Sequence, residues 1–511
     1  MLAFIARRLM IAAGVLIAAS YIFYLLAASS GDPLEDLRAS TQRNREQLVE
    51  LRTAELQLDV NPALRYFTWA GGAAKCLIGQ CDLGEDWRTG QPVTTMLGSA
   101  MGSTLQLIGF ASIFAIVVGV AVGIVSALRQ YTGFDYGVTF AAFLMYSLPS
   151  FFVAVLLKQW GAIGFNDFLR DPVIPIPALL VIGAVAGIIV GSALSGSWPR
   201  KIAIGGTFGL ATAAILGALS ATGWFLDPRL GPVVILVFGL GSAYFVTFIA
   251  AGLNNKRALY TGLAVAVIGA IAWFPLQEAF RFATVWMVLG VLAGLIAIGM
   301  VIGKLAGGPD NRVQMRVGGL TALPVFGLLF VDYLMSWWER YSNSSTIGGR
   351  PIATVGSQTP QLAGSGYWVE TLDTFTHLIL PVTAIVLISL AGYTRYARAS
   401  LLEVMNLDYI RTARAKGLNE RTVVMRHAFR NALIPLATII PLDIAALIGG
   451  AVITETIFGW NGMGRLFVES LRLVNLDPLM GYFLVTGILL LIGNILADIL
   501  YAVLDPRIRV E

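Results

Sequence analysis

Twelve long apolar stretches divide this 511-residue chain, and they constrain its fold more than any other feature. A transmembrane helix needs about 20 mostly apolar residues, because the hydrocarbon core of a bilayer is about 30 Å thick. Backbone groups in lipid must be satisfied internally, which favours helices. The stretches lie near 9–28, 102–127, 135–157, 173–194, 202–223, 231–252, 258–275, 283–303, 318–338, 378–394, 433–455 and 480–503. We therefore predict an all-α, polytopic membrane protein with about twelve transmembrane helices.

The overall composition agrees with this prediction. Hydrophobic residues make up 57 % of the chain and charged residues only 13 %, whereas about a quarter of a soluble domain is charged. The first apolar stretch follows Arg7 and Arg8 and is longer than the apolar region of a cleaved signal peptide. It is therefore interpreted as the first transmembrane helix. The net charge of +5 is typical of basic cytoplasmic loops and does not indicate a nucleic-acid partner.

The distribution of basic residues predicts the orientation of the chain in the membrane. Cytoplasmic loops are enriched in Lys and Arg. With the N-terminus inside, Arg129, the basic stretch 395–430 and the tail with Arg507 and Arg509 all fall inside. The links between the middle spans carry seven basic residues on one side and six on the other, so only the even number of spans orients them. We predict a multi-pass protein of the cytoplasmic (inner) membrane with both termini cytoplasmic and the segment 31–101 outside.

Few residues carry recognisable chemistry. Cys76 and Cys81 lie in the outer segment 31–101, where they form either a disulfide or two free thiols. No spacing of Cys, His and carboxylates indicates a metal site, and no catalytic motif supports a membrane enzyme, so neither metal ligands nor catalytic residues are predicted. No P-loop occurs, because Gly303-Lys304-Leu305 lacks the Ser or Thr that binds magnesium. If ATP drives the protein, another chain must hydrolyse it.

The polar stretch before the eleventh span is the most informative segment. Asp408 is a candidate N-cap for a helix over Tyr409–Lys416, Gly417 is expected to end that helix with Leu418 as an apolar lid, and Asn419 is a second N-cap. The pattern predicts two short helices joined at a glycine elbow. Such an elbow either docks on a partner subunit or rests among anionic lipid headgroups as an amphipathic helix.

Several sequence motifs resemble permeases of the dipeptide/oligopeptide/nickel class of ABC importers. The main match is DYIRTARAKGL, at Asp408–Leu418, followed by RHAFRNALIP, at Arg426–Pro435. The resemblance covers roughly 1–160 and 373–511. Further motifs in the same order are SGDP at Ser30–Pro33, DLG at Asp82–Gly84, SLPSFF at Ser147–Phe152, HLILP at His377–Pro381, ETIFGWNGMGRL at Glu455–Leu466 and LDPRIR at Leu504–Arg509. Asn461 departs locally from the proline that relatives often carry.

This resemblance implies a transport subunit, not an enzyme, that translocates dipeptides or oligopeptides across the cytoplasmic membrane. The implied partners are a second homologous permease, one or two cytosolic ATPase subunits, an extracytoplasmic solute-binding protein and membrane lipid. No cofactor would bind this chain, since ATP and magnesium would bind the ATPases. Nickel or another small solute is an alternative cargo. The residues assigned to ATPase coupling are Tyr409, Arg411, Thr412, Ala413, Arg414, Ala415, Lys416, Gly417 and Leu418.

The resemblance also divides the chain into three parts. Residues 1–160 would form the first three core spans with the outer loop 31–101. Residues 373–511 would form the last three core spans with the coupling elbow 395–432. Between them, 161–372 would be an inserted bundle of about six transmembrane helices plus an outer loop. Relatives usually have about six spans, so the insertion is either a peripheral scaffold or a docking platform for another protein.

The predicted translocation path consists of Asp443, Gly449, Gly450 and Glu455. Asp443 is a carboxylate well inside a span, where it lines the path, pairs with a group of a partner subunit or faces a watery cavity. Glu455 lies nearer a span end and is expected to be more easily solvated. The glycine pair offers close packing or a bend. A proton- or sodium-coupled secondary transporter is a further alternative, since such carriers use carboxylates or broken helices at the midplane.

Overall fold

A computed structural model describes residues 2–41, 43–194, 196–308 and 311–504. These residues form helices, with no β-strand among them. The described part contains ten helices long and apolar enough to cross a membrane, or twelve if two bent helix pairs each count as one span. The predicted all-α polytopic fold is therefore confirmed. The tail with Arg507 and Arg509, and the LDPRIR motif beyond Leu504, lie outside the described residues.

The first third of the chain contains three spans and an outer helical segment. A π-helical stretch, Leu157–Gly164, joins the two short helices at the end of this part, α7 and α8. The helices are α1 Leu2–Ala28, α2 Glu35–Arg38, α3 Arg45–Glu55, α4 Pro62–Ala74, α5 Val93–Leu128, α6 Gly133–Ser147, α7 Ser150–Leu156 and α8 Phe165–Phe168.

The middle of the chain forms six long helices and one short one. Short links connect the long helices, so that successive helices run in opposite directions. They are α9 Ile176–Ala193, α10 Trp198–Ala221, α11 Gly231–Ala250, α12 Lys256–Ala279, α13 Val285–Ala306, α14 Arg312–Met335 and α15 Trp338–Ser342.

The last third contains the remaining spans and the elbow. A π-helical stretch, Val423–Ala428, lies between two short helices of the elbow. The helices are α16 Tyr367–Met405, α17 Asp408–Ala415, α18 Glu420–Thr422, α19 Phe429–Ala432, α20 Ile434–Gly450, α21 Val452–Phe458, α22 Met463–Arg472 and α23 Leu476–Leu504.

The third span, predicted near 135–157 as one apolar stretch, is broken. The chain turns by 103° between α6 and α7. Leu148 has an extended backbone, with φ −79° and ψ 132°, and Pro149 follows it. Proline disfavours a helical conformation in the preceding residue and has no N–H to donate, so the SLPS sequence ends α6. The eleventh span is also bent, by 44°, just before α20.

The six middle helices form two groups. Helices α11 to α14 pack on one another around Ile235, Val265 and Val325. Helices α9 and α10 form a separate hairpin in which glycines face glycines: a Cβ on Gly187 would lie 2.5 Å from the carbonyl oxygen of Gly205. Only glycine allows two helix backbones to approach this closely, as in other membrane helix pairs.

A buried carboxylate ties the four-helix group together. Asp332 of α14 accepts hydrogen bonds from the backbone N–H groups of Leu230 (2.9 Å) and Gly231 (2.8 Å) at the start of α11. Its other oxygen accepts from Trp273 Nε1 of α12 at 2.5 Å. The carboxylate thus satisfies backbone donors that the first turn of a helix leaves free. Asp332 has a structural role at one end of its span.

The contacts divide the protein into two faces. On the elbow side, Arg129 donates to the carbonyl of Ala193 at the end of α9, and Ala127 packs against Ile410 of α17. On the opposite, loop side, Asn475 donates to Asp86 at 2.5 Å, and Gly356 N–H donates to the carbonyl of Phe458 at 2.8 Å. The ends of the middle helices also lie on either the elbow side or the loop side. The chain enters the six middle helices from the loop side, and because their number is even it returns to the loop side after them.

Candidate functional site

The first helix of the elbow, α17, is short and begins one residue earlier than predicted. Leu407 is its N-cap residue, and no side chain caps it. Asp408 is therefore the first helical residue, and its prediction as the N-cap is wrong. Its carboxylate still lies in the first turn, where negative charge favours the helix dipole.

Helix α17 has one buried face and one exposed face. Ile410 (0 % exposed) and Ala413 (6 % exposed) pack against Ala127 of α5, Leu401 of α16 and Val423 of the returning segment. Since Ala413 faces inward, its side chain is not exposed to a partner, and its assignment to ATPase coupling stays a prediction in which it acts through internal packing. The exposed face carries Tyr409, Arg411, Thr412, Arg414, Ala415 and Lys416.

Gly417 forms the elbow itself. Its φ of +77° is left-handed, a conformation that glycine adopts without steric cost, and its N–H donates to the carbonyl of Arg414 at 2.9 Å. Asn419 Oδ1 accepts from Thr422 N–H at 2.8 Å, so the predicted second N-cap is confirmed. Leu418 is 40 % exposed and does not cover the helix end as an apolar lid would. It adds an apolar side chain to the exposed face.

An ion pair bridges the two arms of the elbow. Arg414 Nη2 donates to Glu420 Oε1 at 2.7 Å, and Arg414 Nε donates to Oε2 at 3.2 Å. The hydrogen bond from Arg414 lowers the pKa of the Glu420 carboxyl and raises the pKa of the guanidinium. Because the pair spans the glycine, it stiffens a turn that glycine alone would leave flexible.

Hydrogen bonds also fasten the elbow to the segment that returns to the membrane. Asn431 Nδ2 donates to the Tyr409 hydroxyl at 2.7 Å. Ser400 Oγ of α16 donates to the carbonyl of Ala432 at 2.8 Å. The two arms and the end of α16 therefore form one connected unit, so a force on the exposed face of α17 would reach the membrane helices directly.

A buried ion pair next to the elbow was not foreseen from the sequence. Arg398 of α16 donates to both oxygens of Asp135 in α6, with Nε···Oδ1 at 2.7 Å and Nη2···Oδ2 at 2.9 Å. Ser126 Oγ of α5 donates to the same carboxylate at 2.5 Å. The pair joins three core helices. An aspartate near the start of an apolar span and the arginine-rich TRYARAS sequence were signals for it, but nothing local indicated that they meet.

Asp443 of α20 is half-buried and lies close to the Tyr393 hydroxyl of α16. Its place on the translocation path stays a prediction. Nearby, the Tyr482 hydroxyl donates to the carbonyl of Gly449. Gly450 is the last residue of α20.

Glu455 is enclosed instead of solvated, so the expectation that it is easily hydrated is wrong. The residue is 0 % exposed. It accepts from Thr104 Oγ1 at 2.8 Å, Gly464 N–H at 2.7 Å and Arg465 N–H at 3.1 Å. Its carboxylate therefore binds the N-terminus of α22 in this conformation, and its place on the translocation path stays a prediction.

This enclosure explains the GMG sequence that follows Glu455. A Cβ on Gly462 would lie 2.5 Å from the Glu455 carboxylate, and a Cβ on Gly464 would lie 2.5 Å from Val452 Cα. Both positions require glycine because the loop folds directly over the carboxylate. Asn461 fits this loop, since its Oδ1 accepts from Arg465 Nη1 at 2.7 Å.

The remaining predicted site residues, Cys76 and Cys81, are joined by a disulfide on the loop side. They follow α4, which packs against α1. Among the described residues, no group of three or more His, Cys, Asp or Glu side chains is arranged to hold a metal ion.

Comparisons with known proteins agree on one family. The family model described as "Binding-protein-dependent transport system inner membrane component" matches residues 295–510. The oligopeptide transport system permease protein OppB of Mycobacterium tuberculosis is 26 % identical over 508 residues, covering 99 % of each chain. The dipeptide transport system permease protein DppB of Escherichia coli is 34 % identical over 258 residues, covering 46 % of this chain and 74 % of its own.

These relatives align with different lengths of the chain, but all are permease proteins of transport systems. OppB aligns along its whole length, including the six middle helices, whereas DppB aligns with less than half of this chain. A third relative, the oligopeptide transport system permease protein AppB of Bacillus subtilis, is 47 % identical over 148 residues, covering 28 % of this chain and 47 % of its own. The chain thus belongs to the inner membrane components of binding-protein-dependent transport systems, as a multi-pass protein of the inner membrane.

Proposed function

We propose that this chain is the permease subunit of an ABC importer that translocates dipeptides or oligopeptides. The proposal rests mainly on the elbow. One face of its helix α17 is exposed, and the opposite face packs against α5 and α16. The relatives named above are dipeptide and oligopeptide permeases, and a glutathione permease is 34 % identical over 234 residues. Peptides are therefore the cargo that the family relationship favours.

In the proposed cycle, separate cytosolic ATPase subunits bind ATP and magnesium and close on the exposed face of α17. Ile410 and Ala413 pass this motion to the ends of α5 and α16, and the Asp135–Arg398 pair passes it to α6. A second homologous permease completes the pathway. Asp443 of α20 and Tyr393 of α16 lie close together, so these two helices carry neighbouring polar side chains within the membrane.

The loop side would receive cargo from an extracytoplasmic solute-binding protein. The outer segment before α5, the loop 339–372 and α22 all lie on this side and are hydrogen-bonded to one another or to the core. Closure of the ATPases would open the pathway toward this side, and their release would open it toward the cytosol. This is an alternating-access mechanism in which the ATPases act on the elbow side and cargo enters from the loop side.

Uptake measurements test the function. We expect cells that lack this chain to lose uptake of labelled dipeptides or tetrapeptides and to recover it when the chain is restored. The uptake should require ATP and should persist when the proton and sodium gradients are collapsed. Restored uptake of labelled nickel without peptide uptake would contradict the peptide assignment, and uptake abolished by collapsing the ion gradients alone would contradict the ATP-driven mechanism.

Both termini and the elbow are proposed to face the cytosol. The disulfide supports this orientation, because disulfides persist on the oxidising side of the membrane and Cys76–Cys81 lies opposite the elbow. We expect a cysteine at exposed Lys416 to react with an impermeant thiol reagent only after cells are opened. A cysteine at Gly348, on the loop side, should react in intact cells. Labelling of the Lys416→Cys variant in intact cells would overturn the orientation.

A further inference from the structure

The middle helices carry unequal charge at their two ends. On the loop side three arginines near helix ends have a carboxylate neighbour: Arg170–Asp167 at 3.6 Å, Arg229–Asp227 at 3.5 Å and Arg281–Glu278 at 3.6 Å. On the elbow side the links contain a single acidic residue, Asp310, which lies outside the described residues. The basic residues at this end are Arg200, Lys201, Lys256, Arg257, Lys304, Arg312 and Arg316.

Below two of these arginines lies an open, apolar groove between α13 and α14. Its volume is about 520 Å³, and its lining includes Ile296, Met300, Met315, Gly319, Leu320 and Leu323. Gly319 lets α14 lie close to Met300 of α13, because a Cβ at this position would lie only 3.2 Å from Met300 Cγ. From Arg312 to Leu323 the helix rises about 17 Å, at about 1.5 Å per residue. The groove is thus about one leaflet deep, since the whole hydrocarbon core is about 30 Å thick.

Arg312 and Arg316 form the entrance to the groove. They are one helical turn apart, so both guanidiniums lie above the same face of α14. Both residues are exposed, and within the described part of the chain neither has a carboxylate partner. An arginine pair presents several fixed donors that match phosphate oxygens. The groove therefore joins two positive charges, neither paired with a described carboxylate, at the membrane surface to an apolar surface that runs into the bilayer.

We propose that this groove is a binding site for an anionic phospholipid. The phosphate and the net negative headgroup would lie between Arg312 and Arg316, and an acyl chain would occupy the groove toward Leu323. A free phosphate would contact only the entrance, and a polar protein segment could not bury its backbone against an apolar, lipid-facing wall. Basic pockets between transmembrane helices on the cytoplasmic side are suited to such headgroups. Through this groove, the inserted helices would bind an anionic phospholipid from the surrounding membrane.

The test uses the full-length chain, with the subunits that co-purify, in nanodiscs of phosphatidylcholine with or without phosphatidylglycerol. Native mass spectrometry would measure which lipid is retained. We expect the unmodified protein to retain phosphatidylglycerol preferentially, and R312Q/R316Q to weaken this retention about thirtyfold, as two basic residues near a charged surface together contribute. The control R229Q/R281Q removes the same charge at the loop side and should retain the lipid. Gly319→Leu should weaken retention while keeping both arginines.

Three results of the retention measurements would overturn the proposal, as would displacement of the lipid by phosphate. The first is equal retention of the two lipids by the unmodified protein. The second is unchanged phosphatidylglycerol retention in R312Q/R316Q. The third is an equal loss in R229Q/R281Q, which would show that net charge, and not this groove, selects the lipid. Inorganic phosphate added as a competitor should not displace the phospholipid, whereas displacement would indicate a simple anion site at the entrance.

Discussion

Replacing Gly417 by proline is expected to abolish peptide uptake while leaving the membrane helices folded. The native φ of +77° is inaccessible to proline, and the Gly417 N–H that donates to Arg414 would be lost. A proline in such a position costs about 3 kcal/mol or more, so the native elbow would become about a hundredfold less populated. The Arg414–Glu420 pair, which depends on the same turn, would separate. Uptake of labelled peptide and cargo-stimulated ATPase activity are the measurements.

Two controls make this result specific. Gly417→Ala should reduce uptake only partly, because no atom lies within 4 Å of the added Cβ and only the left-handed backbone, worth about 1–2 kcal/mol, is strained. Gly223→Pro should keep full uptake, since this glycine also has a positive φ and open surroundings but lies in a loop of the middle helices. Normal uptake by membrane-inserted Gly417→Pro protein would show that the elbow does not couple the ATPase to transport.

The transmembrane architecture could be predicted from the sequence because each span is coded locally. An apolar run of sufficient length determines a helix in lipid whatever its neighbours are. The turn at Gly417 and the cap at Asn419 were likewise local, and both were predicted. The break after α6 was missed, although Pro149 stood in the predicted span, because the run of apolar residues on both sides outweighed a single helix-breaking residue.

The roles of buried polar residues could not be predicted, since they depend on contacts between distant segments. Glu455 was expected in water because it lies near a span end, but Thr104, more than three hundred residues away, and the turn of α22 enclose it. Asp135 and Arg398 are separated by 263 residues. Similarly, Ala413 shares a motif with exposed residues and yet faces inward, because a helix places adjacent residues on different faces.

Removing one partner of the buried ion pair is expected to cause the largest loss of stability. In Arg398→Ala the Asp135 carboxylate would remain buried without its cation, a change that typically costs about 3–5 kcal/mol. Ser126 Oγ and the Tyr131 N–H, which donates at 3.1 Å, would still hold the carboxylate, so the lower part of this range is expected. Thermal unfolding of the purified protein in detergent would measure the change.

A double-mutant cycle separates the ion pair from the loss of side-chain packing. Adding Asp135→Asn to Arg398→Ala removes the unpaired charge, so the double variant should be more stable than Arg398→Ala alone. The exposed pair Asp408–Arg411, with an N···O distance of 3.5 Å, is a matched control, and Arg411→Ala should cost about 0.5 kcal/mol or less. If the double variant is as unstable as Arg398→Ala, the arginine stabilises α16 through packing. In that case the charge does not join α5, α6 and α16, and the proposed route from the elbow to α6 is lost.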